Sequence, residues 1–118
     1  MKKLLFTKSL KKNYQFRYVY NKGKSIANKY LVMYVVKNNS LENFLGISVS
    51  KKVGNSVVRS RVTRLIRENY RLSENKLKNG YSLVVIARNT TNGASYQEIN
   101  KAMNHLFSKH NLFNIKNN

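Results

Sequence analysis

The sequence predicts a single α+β domain, a two-layer sandwich in which helices pack on one β-sheet. The chain has 118 residues, which is enough for one hydrophobic core but not for two. Hydrophobic residues make up 42% of it, a typical fraction for a globular fold. Apolar residues recur at helical or strand spacing in the order helix, strand, strand, long helix, strand, helix. Runs of strands interrupted by helices in this way indicate one sheet covered by helices.

The first half of the chain is predicted to form an arm, a helix and two strands. Residues 1–12 contain five lysines and few core residues, which predicts a basic and partly flexible arm. Apolar residues at helical spacing predict a helix over residues 13–23, which ends at a glycine. Residues 28–36 are rich in β-branched and aromatic side chains and predict a strand. Residues 44–50 predict its hairpin partner, across a turn at 37–40.

The second half is predicted to contain a long helix, one strand and a final helix. The long helix begins near Asn55 and ends between residues 70 and 73. A compact apolar run at 81–87 has the length and composition of a buried strand. Helical spacing returns over residues 94–110, and the polar residues 111–118 predict a loose tail. No linker or internal repeat divides the chain, so residues 1–118 are predicted to form one domain.

The long helix is predicted to carry an apolar face and a cationic face. Five of the seven arginines of the chain lie on it. The apolar stripe follows the spacing of a buried helix face and consists of Val58, Val62, Leu65, Ile66 and Asn69. Four arginines share another face that spans roughly 120° of arc, namely Arg61, Arg64, Arg67 and Arg71. Because Glu68 is the only acid among them, the pattern favours phosphate contact over an ordinary solvated face, which mixes charges of both signs.

The overall charge supports a polyanionic partner. Lys and Arg number 23 against four Glu and no Asp, which gives a formal net charge of +19. No apolar run approaches the ~20 residues that span a membrane, and no signal-peptide core follows the N-terminus. We therefore expect a cytoplasmic protein that does not associate with membranes. The four glutamates lie in separate segments and cysteine is absent, so a protein-borne nuclease metal site is not expected.

Residues 46–68 closely resemble the signature of the bacterial ribonuclease P protein component family. The resemblance extends over nearly the whole chain, including Leu10-Lys11-Lys12-Asn13, Ile86-Ala87-Arg88 and His105-Leu106-Phe107. Two positions depart from the usual pattern. The central Arg-Asn-Arg of the family is Arg59-Ser60-Arg61 here, and Thr63 replaces a residue that is frequently basic. Ser60 keeps a hydroxyl group but loses the second polar group of an amide.

The resemblance implies an RNA–protein endonuclease in which an RNA subunit, with Mg²⁺, removes the 5′ leader of precursor tRNA. The protein would assist as a monomer in a 1:1 complex and would bind no Mg²⁺ by itself. The implied fold has a mixed sheet, the order α-β-β(-β)-α-β-α and a left-handed β-α-β crossover, although right-handed crossovers are the rule. The residues implied to contact the catalytic RNA are Lys51, Lys52, Asn55, Arg59, Ser60, Arg61, Arg64, Arg67 and Arg71. A cleft for the single-stranded leader is implied at Phe16, Tyr20, Val32 and Tyr34.

Two other functions share the size and charge of this chain. A structural RNA-binding protein, such as a ribosomal component, is the main alternative. A DNA-binding protein with the long helix in the major groove is disfavoured, because the helix carries few Asn or Gln side chains that could read bases. For Phe16, ordinary core packing is an equally good interpretation of the sequence.

Overall fold

The computed structural model describes residue 4 and residues 6–114, and within them three helices pack on one five-stranded sheet. The elements are β1 (Thr7–Ser9), α1 (Asn13–Lys22), β2 (Lys24–Ala27), β3 (Leu31–Lys37), β4 (Asn43–Ser48), α2 (Ser56–Ser73), β5 (Tyr81–Ala87) and α3 (Tyr96–Lys109). Single 3₁₀ turns at Glu74–Lys76 and Asn89–Thr91 lie on either side of β5. The predicted α+β class is confirmed.

The sheet is mixed and has the strand order β1-β4-β5-β3-β2. Strand β3 is antiparallel to both β2 and β5, whereas β4 is parallel to both β1 and β5. Strand β5 occupies the centre, and its residues 82–85 are buried. A strand that is apolar over residues 83–87 therefore takes the position with the least access to water.

The predicted hairpin between the strands at 28–36 and 44–50 is wrong. Strand β5 lies between β3 and β4, and β4 forms its ladder with β5 from Phe44↔Ser82 to Ser48↔Ile86. Burial agrees with the observed order, since a central strand is covered on both faces and residues 82–85 of β5 are all buried. Helix α2 thus connects two adjacent parallel strands. The left hand of this crossover stays a prediction.

Local spacing did not predict β2, although the order implied by the resemblance allows a third strand between the first two helices, and β3 begins three residues later than expected. The intervening turn is organised by Asn28, whose Oδ1 accepts hydrogen bonds from the backbone N–H groups of Tyr30 and Leu31 at 3.1 and 3.0 Å. An asparagine that binds its own downstream backbone favours a turn over a strand. The segment before it, Lys24–Ala27, is polar and exposed enough to lack a clear strand pattern.

The predicted flexible arm over residues 1–12 is wrong for Thr7–Ser9, which form β1 on the edge of β4. The backbone N–H of Phe6 donates to Oε2 of the buried Glu74 at 2.9 Å, and the hydroxyl groups of Thr7 and Tyr70 lie 2.8 Å apart. Tyr70 is fully buried, and burial raises its pKa to about 12 although the hydrogen bond from Thr7 opposes the shift. Residues 1–3 and 5 lie outside the described residues.

The predicted loose tail over residues 111–118 is also wrong for residues 112–114. Leu112 is 1% exposed and belongs to the hydrophobic core, and Phe113 forms a β-bridge with Leu77. Backbone hydrogen bonds from Lys78 to Leu112 and from Asn114 to Lys76 hold the segment beside the turn that follows α2. Residues 115–118 lie outside the described residues.

The two faces of the sheet have different partners. One face packs against α2 and α3 and forms the main core, whose largest fully buried members include Leu31, Met33, Leu83, Ile66, Leu106 and Phe107. The other face contacts α1, which crosses β3 and β5. Val19 and Val84 are buried on this side, outside the main core. Because α1 is a single short helix, it leaves part of this face open beside it.

Candidate nucleic-acid interface

The turn before α2 and the cap of α2 set the position of the basic helix. Val53 is 2% exposed and anchors the turn in the core, whereas Lys51 and Lys52 before it are exposed. Asn55 is the N-cap, and its Oδ1 accepts a hydrogen bond from the backbone N–H of Val58 at 3.0 Å. The predicted start and the predicted end of the helix are both confirmed, since α2 spans Ser56–Ser73.

The arginines of α2 are not equivalent. A terminal nitrogen of Arg61 donates to the backbone carbonyl of Ala94 at 2.8 Å, just before α3, and Arg71 forms an ion pair with Glu68. Arg64 and Arg67 make no side-chain hydrogen bond or ion pair with any residue that the structure describes. The predicted cationic face therefore contains two arginines with structural partners and two whose charge is uncompensated.

Arg59 lies on another edge of α2, beside the end of β4. It lines an open groove of ≈ 530 Å³, the arginine groove, together with Ile47, Val49, Ser56, Ser60, Thr63 and Arg64. Its Nε is buried and has no hydrogen-bond partner among the described residues. The hydroxyl of Thr63 is already engaged, because it donates to the backbone carbonyl of Arg59 at 2.9 Å. A buried guanidinium N–H without a hydrogen-bond partner is costly.

Three of the predicted cleft residues form an aromatic cluster between α1 and the sheet. The ring centroids of Phe16 and Tyr20 are 6.4 Å apart, and those of Tyr20 and Tyr34 are 5.0 Å apart in an edge-to-face arrangement. Burial raises the pKa of Tyr20; a hydrogen bond with Ser48 opposes this rise and the neighbouring Tyr34 adds to it. All three rings keep partial exposure. Phe16 is therefore a partly exposed residue of the cleft rather than a buried core residue.

Val32, the fourth predicted cleft residue, lies two positions before Tyr34 and faces the same side of the sheet. It is half-buried and pairs across the sheet with Ile86 and Ala27. The aromatic cleft is an open groove of ≈ 480 Å³ lined by Asn13, Phe16, Arg17, Tyr20, Ile47 and Ser48. Its polar residues Asn13, Arg17 and Ser48 were not predicted from the sequence. Helical spacing could have indicated Asn13 and Arg17, because they lie about two turns and about one turn before Tyr20 on the same side of α1.

The arginine groove and the aromatic cleft meet at Ile47, which lines both. Strand β1 pairs with β4 only from Asn43 to Leu45. The end of β4 is thus an open sheet edge between the two grooves, and a polyanionic strand could pass from one groove to the other. Of the predicted catalytic-RNA set, Arg59, Ser60 and Arg64 line the groove that adjoins the aromatic cleft.

Among residue 4 and residues 6–114, no three His, Asp or Glu side chains are grouped closely enough to hold a metal ion. None of the helices in that part of the chain is long and apolar enough to cross a membrane.

The fold, the basic helix and the aromatic cleft define a small α+β RNA-binding protein. The Ribonuclease P family model matches residues 5–111. The ribonuclease P protein component of Alkaliphilus oremlandii is 53% identical over 105 residues, with 89% of this chain and 92% of that protein covered. That of Lachnoclostridium phytofermentans is 55% identical over 106 residues, with coverages of 90% and 91%. A solved Staphylococcus aureus RNase P protein, a mutant with defective mRNA degradation activity, is similar with a TM-score of 0.83 at 35% identity, covering 89% of each chain. The chain belongs to the ribonuclease P protein component family.

Proposed function

We propose that this chain is the protein subunit that assists a catalytic RNA in removing the 5′ leader of precursor tRNA. The observation that carries this proposal is the junction at Ile47, where the arginine groove and the aromatic cleft share one wall. A protein with this surface can hold a structured RNA on one side and an unpaired strand on the other. It acts in the cytoplasm as a monomer in a 1:1 complex with its RNA.

The basic side of the junction suits a folded RNA. Arg64 and Arg67 have no side-chain hydrogen-bond or ion-pair partner among the described residues, and Arg59 lines the arginine groove together with Arg64. Guanidinium groups bind phosphate oxygens in a fixed fork geometry and release counterions from the RNA when they do so. Lys51, Lys52 and Ser60 extend this surface because all three are exposed.

The aromatic side of the junction suits an unpaired leader. Phe16, Tyr20 and Tyr34 offer partly exposed rings, and base stacking on such rings is worth about 1–3 kcal/mol per base. Stacking tolerates any base, so one cleft can accept leaders of different sequence. Arg17 adds a cation for the leader backbone at the rim of the cleft.

Bond cleavage is assigned to the RNA subunit, together with Mg²⁺. The residues of this chain do not fit a metal site, because its carboxylates are few and Glu68 and Glu98 are engaged with Arg71 and Tyr30. Mg²⁺ favours phosphate oxygens, which the RNA supplies in abundance. The protein contributes position and charge, since it holds the leader and the catalytic RNA in one arrangement.

The test is a reconstitution at low Mg²⁺ with a bacterial ribonuclease P RNA and a precursor tRNA. We expect accurate leader removal by the mixture, weak activity of the RNA alone and none of the protein alone. A mixture no more active than the RNA alone would point to a structural RNA-binding protein. A second assay incubates the protein alone with an mRNA, because one solved relative is a mutant with defective mRNA degradation activity. Cleavage of either substrate by the RNA-free protein would overturn the assignment of catalysis to the RNA.

A further inference from the structure

Two tyrosines on the outer surface of α1 have no role in the cleft. Tyr14 is 66% exposed and Tyr18 is 53% exposed, whereas most other tyrosines of the described chain are at least half-buried. Neither ring contacts another aromatic ring, and neither hydroxyl makes a hydrogen bond within the described residues. They are four residues apart, so their side chains are neighbours on one flank of the helix.

A second groove lies beside these tyrosines, on the other flank of α1 from the aromatic cleft. It measures ≈ 340 Å³ and is lined by Leu10, Tyr14, Gln15, Tyr18, Val19, Asn38, Phe44 and Ser82. At 100° per residue, the order around the outside of α1 is Asn13, Arg17, Tyr14 and Tyr18. Arg17 also lines the cleft. Arg17 therefore lies between the aromatic cleft and the second groove, on the exposed surface of α1.

The charges around the two tyrosines favour a polyanion. Lys22 follows Tyr18 by four residues and extends the same flank of α1, and the exposed Lys11 lies just before the helix. Helix α1 contains no acidic residue. Glu42, whose backbone carbonyl accepts a hydrogen bond from Asn38 of the groove, has its carboxylate paired with Lys8 at 3.3 Å. An apolar peptide would gain nothing from these lysines, whereas RNA would gain from both rings and charges.

We propose that Tyr14 and Tyr18 form a second stacking platform for single-stranded RNA, and that its occupant is the part of the precursor tRNA leader upstream of the nucleotides in the cleft. The inference rests on the proposed function, because the leader reaches this platform by leaving the cleft over Arg17. Aromatic rings flanked by cations are the general means by which proteins bind unpaired strands. The leader is favoured over the catalytic RNA because α1 and Arg17 are shared with the cleft.

The experiment compares two precursor tRNAs in the reconstituted holoenzyme. One carries a short leader that ends within the cleft, and the other a leader several nucleotides longer. We expect wild-type holoenzyme to bind the longer precursor more tightly. The double variant Tyr14→Ala/Tyr18→Ala should lose at least about fivefold in affinity for the longer precursor, with no change for the shorter one. The matched variant Tyr14→Phe/Tyr18→Phe keeps both rings and should behave as wild type.

Several results would overturn the inference. If the alanine variant bound both precursors equally weakly, or bound the catalytic RNA alone more weakly than wild type does, the two tyrosines would contact the catalytic RNA and not the leader. If the wild-type protein dimerised in sedimentation and the alanine variant did not, Tyr14 and Tyr18 would form a self-association surface. A wild-type holoenzyme that prefers precursor to mature tRNA but ignores leader length would refute this inference alone. A holoenzyme without any preference for precursor would refute the proposed function as well.

Discussion

Alanine substitution of Arg64 and Arg67 is the cleanest test that α2 docks the catalytic RNA. Neither side chain has a hydrogen-bond or ion-pair partner among the described residues, so the change should remove RNA contacts without removing contacts that hold the fold. Arg61 is less suitable, because its guanidinium donates to the carbonyl of Ala94. Losing that hydrogen bond should cost about 1 kcal/mol of the free energy of unfolding and would mix a folding effect with a binding effect.

The expected magnitude follows from counterion release. Each phosphate contact contributes about 0.7–0.9 to the slope of log affinity against log salt concentration. The double variant Arg64→Ala/Arg67→Ala should therefore flatten that slope by about 1.5 and weaken binding at low salt. Arg71→Ala is the matched control on the same helix, because Glu68 already neutralises Arg71. It should change the slope by much less than one contact.

The assay is fluorescence anisotropy of labelled catalytic RNA, titrated with each protein over a series of KCl concentrations. Thermal unfolding of each variant checks that the fold is intact. An unchanged slope for the double variant would refute the reasoning, since two uncompensated arginines would then make no phosphate contact. A slope equally flattened by Arg71→Ala would show that the ion pair with Glu68 does not persist in the complex.

Three further predictions concern the cleft and the core. Tyr34→Ala should weaken precursor tRNA binding by about 1–3 kcal/mol, or about five- to 150-fold, and leave mature tRNA unaffected; equal loss for both tRNA forms, with circular dichroism showing an intact fold, would instead indicate a general docking defect. Gly46→Ala would bring a Cβ to 2.6 Å from the ring of Phe16. Because that ring can turn outwards, we expect a loss of selectivity for precursor over mature tRNA like that of Tyr34→Ala, and a stability cost below the about 1–3 kcal/mol that overpacked cores show. A large fall in melting temperature would contradict this prediction. The pKa of Tyr70 rises from 10.0 to about 12 on folding, so between these pH values the folded state keeps a proton that the unfolded chain has lost, and the free energy of unfolding falls by roughly 3 kcal/mol as pH rises. Urea unfolding of Tyr70→Phe should show a smaller decline over that window, and parallel curves for the two proteins would argue against it.

Local sequence signals predicted the elements better than their partners. Helix α2 was predicted at both ends, because an asparagine cap and a regular apolar stripe are properties of consecutive residues. The pairing of β4 with β5 was missed, because it joins segments separated by the whole of α2. Apolar content does not reveal this pairing, because residues 30–36 form an uninterrupted apolar run and could equally belong to a central strand. Leu112 likewise reaches the core only through tertiary packing, and no local pattern shows its place there.

The functional surfaces show the same limit. Helical spacing predicted which arginines share a face of α2, but the hydrogen bond between Arg61 and Ala94 spans 33 positions of sequence and needs the packing of α2 against α3. The ion pair between Arg71 and Glu68, three residues apart, was within reach of the sequence. The roles of these residues toward RNA, and of Phe16 and Tyr34 toward the leader, remain predictions.

The position of β4 brings the aromatic cleft and the arginine groove together at Ile47. Gly46 leaves room for the ring of Phe16, Ser48 hydrogen-bonds Tyr20, and Ile47 lies between the aromatic cleft and the arginine groove. The chain then turns and enters α2 at its asparagine cap, so the arginine groove follows within a few residues. Because Ile47 is the one residue that lines both grooves, a change of this side chain alters the wall that they share. Substitution of Ile47 should therefore affect leader binding and catalytic-RNA binding together, whereas substitution of Tyr20 on α1 should affect leader binding alone.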